Sequence, residues 1–110
     1  MNYAYKTYTA YDDPVNLTGQ EGKGGTPFFI GVDSSAGSVN IVLPTQNPAY
    51  IPVGFVYIIK DISGTAATNN ISVTAPIAID ATTTITLVSN YASVKLFARE
   101  GTPPEVWNVI

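Results

Sequence analysis

At 110 residues the chain has the length of one compact domain, and it carries a net charge of -3 with only five Lys and Arg, all scattered. That excludes the clustered cations a phosphate backbone requires, so nucleic acid is not an expected partner. No His and no Cys are present, which removes Ser-His-Asp and Cys-His catalysis, thiolate metal sites and disulfides together.

Charged residues make up 12% of the chain, about half the ~25% of an ordinary soluble domain. The surface must therefore be built from Ser, Thr, Asn, Gly and Tyr, and such a surface suits contact with protein or sugar. Residues 1–11 (MNYAYKTYTAY) place Tyr3 and Tyr5 on one face if extended, with Tyr8 on the other. This stretch reads as an edge strand or as a docking arm, and residues 1–14 are set apart from a single domain over 15–110. The same stretch has one Lys and no apolar run, and no window anywhere approaches the ~20 apolar residues of a membrane span. Neither secretion nor membrane insertion is expected, and synthesis in a cytoplasm is.

Asp12-Asp13-Pro14 predicts a turn, because Asp bonds its own backbone and Pro fixes its φ. Gly19, Gly22, Gly24 and Gly25 follow without apolar periodicity and predict a surface loop; the Lys-Ser/Thr ending of a P-loop is missing. Residues 28–32 and 38–43 predict two strands around the turn DSSAG, and hence a hairpin. Pro44, Pro48 and Pro52 punctuate a connection that cannot be a central strand and is expected to cross between sheets. In 55–60 nearly every side chain is apolar, aromatic or β-branched, as in a central strand covered on both faces. With the polar loop ending at Asn69-Asn70 and the alternating Ile71, Val73 and Ala75, this reads as a second hairpin-like unit.

A turn at Asp80-Ala81, a threonine-rich strand over 82–88, a turn at Ser89-Asn90, a strand over 92–99 and a last strand over 105–110 complete the pattern. About eight short strands result. They predict an all-β fold, a small antiparallel β-sandwich of jelly-roll type with Greek-key connections.

Carboxylates remain as a route to chemistry. Asp12, Asp13 and Asn16, or Asp61 and Ser63, offer oxygen ligands without the dense spacing of a calcium loop. Asp33, Asp61, Asp80, Glu100 and Glu105 could in principle form a glycosidase pair, but all fall at predicted strand ends or turns. The expectation is no enzyme, no metal and no cofactor. Trp107, the sole tryptophan, reads first as a core plug in the last strand and second as a glycan-stacking platform.

From Ile41 onward the chain resembles a module of bacteriophage and viral tail-fibre, spike and surface proteins. The resemblance rests on Val42-Leu43-Pro44, on Tyr57 through Gly64 (YIIKDISG), on Ala67-Thr68-Asn69-Asn70-Ile71, on Ile79-Asp80, on Tyr91-Ala92-Ser93-Val94 and on Trp107-Asn108-Val109-Ile110. Roughly two thirds of the chain is covered. The departures are Ala81 and Ala92, where the family has glycine, and a lengthened turn at Thr102-Pro103-Pro104. The resemblance implies a place on the exterior of a virion, usually as a homotrimer. Since this module fills the chain, it implies a capsid decoration, cement or spike subunit that binds the major capsid or another virion protein. A tail-fibre tip binding a host surface glycan is the alternative. Tyr3, Tyr5, Tyr8 and Tyr11 are then the expected capsid or subunit contacts.

Overall fold

The structure, a computed structural model, describes residues 4–18, 28–44, 56–79, 82–102 and 105–110. It is all-β. The strands are β1 (Ala4–Thr9), β2 (Val15–Asn16), β3 (Phe28–Asp33), β4 (Val39–Val42), β5 (Val56–Asp61), β6 (Ile71–Ile79), β7 (Thr82–Leu87), β8 (Ser93–Thr102) and β9 (Glu105–Val109), with one short 3-10 turn at Ala10–Asp12. Hydrogen bonding runs along β1-β3-β5-β8-β9-β6-β4-β2, with β7 beside β6. The link between β9 and β6 is the single pair Ile79 and Trp107, and there the path divides into two mixed layers of five and four strands.

The first six strands alternate between the layers. Ala4 lies beside Phe28 and Phe28 beside Tyr57 in one layer, and Val15 beside Ile41 and Ile41 beside Val73 in the other, all in parallel register. The chain therefore winds three times around a flat core. Then it reverses: β7 lies antiparallel on β6 and β8 antiparallel on β5, and β9 turns back again, antiparallel on β8 and parallel to β6.

Parallel pairing corrects the antiparallel, jelly-roll expectation. Five of the eight strand pairings among the described residues are parallel, and a jelly roll is built from antiparallel Greek keys. The two expected hairpins are corrected for the same reason. β3 does not pair with β4, nor β5 with β6; each loop carries the chain to the facing layer instead. Alternation tells which side of a strand is buried, but a strand that turns back and one that crosses over show the same alternation. The crossing after Pro44 is as expected in one respect: β4 and β5 stand in different layers.

The core consists of stacked rows. Ile30, Ile59 and Val94 form one, Phe28, Tyr57 and Leu96 another, faced by Val39, Ile71 and Leu87 and by Val15, Ile41 and Val73. Because coils stack in register, like side chains meet like across ~4.8 Å, and the apolar rows shed water along their whole length. Trp107 tilts against Tyr57 with ring centroids 5.4 Å apart and sits opposite the small Ala98, while Phe28 meets Tyr57 edge-on at 6.1 Å. β1 lies at the edge of the same layer as β3, and Tyr8 and Ala10 pack against the core.

Candidate functional site

Asp61, Ser63, Gly64, Asn69 and Tyr91 meet at one corner, where β5 hands over to the loop before β6. Asp61 is its centre. Although fully buried, it lies at a strand end, so the amides that follow it are free to turn back onto its carboxylate. Oδ1 accepts from the Ser63 amide at 3.1 Å, the Ser63 hydroxyl at 3.2 Å and the Gly64 amide at 3.0 Å. Oδ2 accepts from the Ala66 amide at 3.0 Å and the Tyr91 amide at 2.9 Å. Burial pushes the pKa of Asp61 up, but the Tyr91, Ala66, Ser63 and Gly64 amides outweigh it and hold the carboxyl below its ordinary 3.8.

Hydroxyls extend this centre to the preceding coil. Ser63 donates to Asp61, which obliges Thr65 to donate to Ser63 at 2.5 Å and Ser34 to donate to Thr65 at 2.8 Å, so each bond polarises the next toward the carboxylate. The Ser34 amide donates to Ser63 Oγ at 3.3 Å, and Asn69 Nδ2 donates to the Ser34 carbonyl at 2.8 Å. Ser34 is buried, and these bonds account for it. Asn70 receives the Val39 amide on its carbonyl, and Asn90 Oδ1 receives the Ala67 amide.

Tyr91 completes the corner in a left-handed conformation, φ 63°. Its amide is held by Asp61, its carbonyl accepts from Lys60 Nζ at 2.7 Å, and its ring lies over Gly64. Gly64 itself has φ 73°, a backbone that favours glycine, and a Cβ there would stand 2.5 Å from the Tyr91 ring and displace it. Lys60 and Asp61 do not form the local ion pair their adjacency suggests. Neighbours on a strand face opposite sides, and Asp61 points into the corner while Lys60 reaches outward to Tyr91.

The remaining carboxylates among the described side chains are also committed to the backbone. Asp12 accepts the Thr9 amide in a capping box, Asp13 accepts the Asn40 amide at 2.7 Å, and Asp33 accepts the Ser35 hydroxyl and amide. Those Ser35 bonds, the hydroxyl first, lower the pKa of Asp33. Asp61 has all of its roughly four acceptor sites taken by five donors, leaving nothing for a cation. Among the described residues no three acidic groups gather. Asp80 and the side chains of Glu100 and Glu105 lie outside them.

The two outer faces differ in chemistry. On the four-stranded layer Asn40, Ser72 and Thr86 lie side by side, as do Asn16, Val42, Thr74 and Thr84, and Thr74 donates to Asn40 at 3.0 Å. On the five-stranded layer Tyr5, Phe29, Ile58 and Lys95 form one row, and Val56 lies beside Phe97. None of these is buried, and Tyr5 stacks on Phe29 at 5.6 Å while remaining 59% exposed. The continuous apolar run at 55–60 was the signal for this face. It predicts cover on both sides, and the outward half, Val56 and Ile58, has only partial cover.

Of the predicted contacts, Tyr5 and Tyr11 stand at the surface, Tyr11 91% exposed, whereas Tyr8 packs on the core and Tyr3 lies outside the described residues. Trp107 is 1% exposed, and its Nε1 donates to the Pro44 carbonyl at 3.2 Å. It presents no ring face to a sugar. No helix of the described chain is long and apolar enough to cross a membrane. No protein-family model matches the chain, and no curated protein matches it.

Proposed function

We propose that this protein is a structural protein of a virus-particle surface, a capsid decoration or cement protein or a spike subunit, which acts by protein–protein binding. The observation that supports a binding role is the unequal pair of outer faces. Tyr5, Phe29, Val56, Ile58 and Phe97, none of them buried, gather on one layer, while the outward rows of the opposite layer are Asn, Ser and Thr with Val42 as the one apolar member among the described residues. Aromatic and aliphatic centres with polar borders are the composition of protein contacts. The particle setting comes from the resemblance, and with it a homotrimer whose partner is the major capsid or another virion protein, assembled after synthesis in the host cytoplasm. No enzymatic step, cofactor, nucleic acid or membrane insertion enters this reading.

The runner-up, a tail-fibre tip that binds a receptor or host glycan, is less well supported because Trp107 lies in the core. Quantitative mass spectrometry of purified particles separates a decoration or cement role from a low-copy spike or fibre tip. Hundreds of copies scaling with the major capsid protein are expected for a decoration or cement role. A few copies per particle favour a spike or fibre tip, and absence of the chain from particles overturns the virion reading.

A further inference from the structure

The five-stranded layer ends at β1, whose only partner among the described strands is β3. An edge of this kind offers a row of backbone donors and acceptors to any strand laid beside it. β1 is well made for such pairing. Its six residues, Ala-Tyr-Lys-Thr-Tyr-Thr, hold neither Gly nor Pro, and all but Ala4 and Lys6 are β-branched or aromatic. Lys6 is its only charge.

The position of that charge is unusual. Lys6 lies in register with Ile30 and Ile59, both fully buried, and the row continues to Val94. It therefore occupies the inward side of its strand, in a row that is apolar in every other strand of the coil stack. Two residues on and on the same side, Tyr8 rests against the core, and Lys6 Nζ stands 5.1 Å from the centre of its ring. Lys6 itself is exposed, so its ammonium stays in water at the rim of that row.

We propose that Lys6 keeps the β1 edge from adding a strand of a second copy of this chain, so that copies meet through their faces and not by extending the sheet. A strand added at ~4.8 Å would bring its own inward side chain against the Lys6 ammonium and strip its water without supplying an anion. Tyr8 alone cannot compensate, because one ring contact is far weaker than full hydration. The inference concerns the fold itself and stands or falls independently of the particle setting.

Lys6→Met tests it, since methionine keeps the unbranched stem and its cover of Tyr8 while removing the charge. Sedimentation velocity across a concentration series should show larger species forming at concentrations at least tenfold below any at which the wild type does so. Hydrogen exchange should show new protection of amides 4–9 in those species. Lys6→Arg and Lys6→Glu, which keep a charge, should sediment as the wild type does. Lys6→Val, a better strand former, serves if the methionine variant fails to give the wild-type circular-dichroism spectrum when dilute. The proposal is overturned if the neutral variant sediments as the wild type throughout, if it associates without protecting 4–9, or if Lys6→Glu associates as readily as Lys6→Met.

Discussion

Replacing Asp61 by Asn should cost a large share of the stability of the domain. The substitution keeps size and shape but turns one acceptor into a donor, and donors surround both oxygens: three on the Oδ1 side and two on the Oδ2 side. Whichever way the amide turns, at least two bonds become donor facing donor, and the other bonds lose the charge that strengthened them. At about 1.5–3 kcal/mol for each bond to a charged group, the loss is roughly 3–6 kcal/mol, against a total of about 5–15 kcal/mol for a domain. Urea unfolding followed by Trp107 fluorescence should show the midpoint lower by on the order of 2 M with an unchanged slope. The same bonds fix the pH dependence. Because the folded-state pKa lies below the ordinary 3.8, the contribution of Asp61 is complete above that value and is lost as pH falls through the lower, folded value. The wild type should therefore lose stability below about pH 4, and the Asn variant should lose less over the same range. A midpoint shift worth less than about 1 kcal/mol would falsify the view that this carboxylate organises the corner.

Gly64→Ala should destabilise by about 1–2 kcal/mol from the left-handed backbone alone, and it should also push aside the Tyr91 ring, whose exposed end is free to move; urea midpoints read the first effect and a changed tyrosine environment in near-ultraviolet circular dichroism the second. Tyr5→Ser with Tyr11→Ser should destabilise by no more than about 0.5–1.5 kcal/mol, the worth of the Tyr5 and Phe29 ring pair, while lowering attachment to stripped particles; undiminished attachment would remove these two tyrosines from the contact. Tyr8 is left in place in that variant because its ring packs on the core.

Local pattern located nearly every described strand, because each buries one row and alternation is a direct record of that row. Ile71, Val73 and Ala75 are buried and Ser72 and Thr74 are not, as their period of two predicts. Strand partners were another matter. Val39 to Val42 alternate identically whether they turn back on β3 or cross to lie beside β6, and the deciding contacts are long-range: Ile62 donating to the Val32 carbonyl, and Val39 to that of Asn70. The polar loop at 62–70 carried the hidden information. It looks like a hairpin turn because it is rich in Gly, Ser, Thr and Asn, yet those residues are spent on curling around Asp61 and on bonding the coil before it. Tyr91 gave no warning of its left-handed backbone, since a bulky residue is a poor candidate for that region until Asp61 is seen holding its amide.

Lys60, Asp61, Ser63, Gly64, Asn69, Asn70 and Tyr91 all have bonds or close packing at the corner, and several bond one another directly. A motif of this kind is constrained by the turn it has to make, because each member answers a backbone group that burial would otherwise leave without a partner. Shared corner residues are therefore evidence for a shared way of crossing between layers, and they say little about what the outer faces touch. On the reading proposed above, partner recognition would fall elsewhere, at Tyr5, Phe29, Val56, Ile58 and Phe97, whose side chains no corner or core contact dictates to the same degree. Two proteins with this corner and different residues at those five outward positions should share the fold and bind different surfaces.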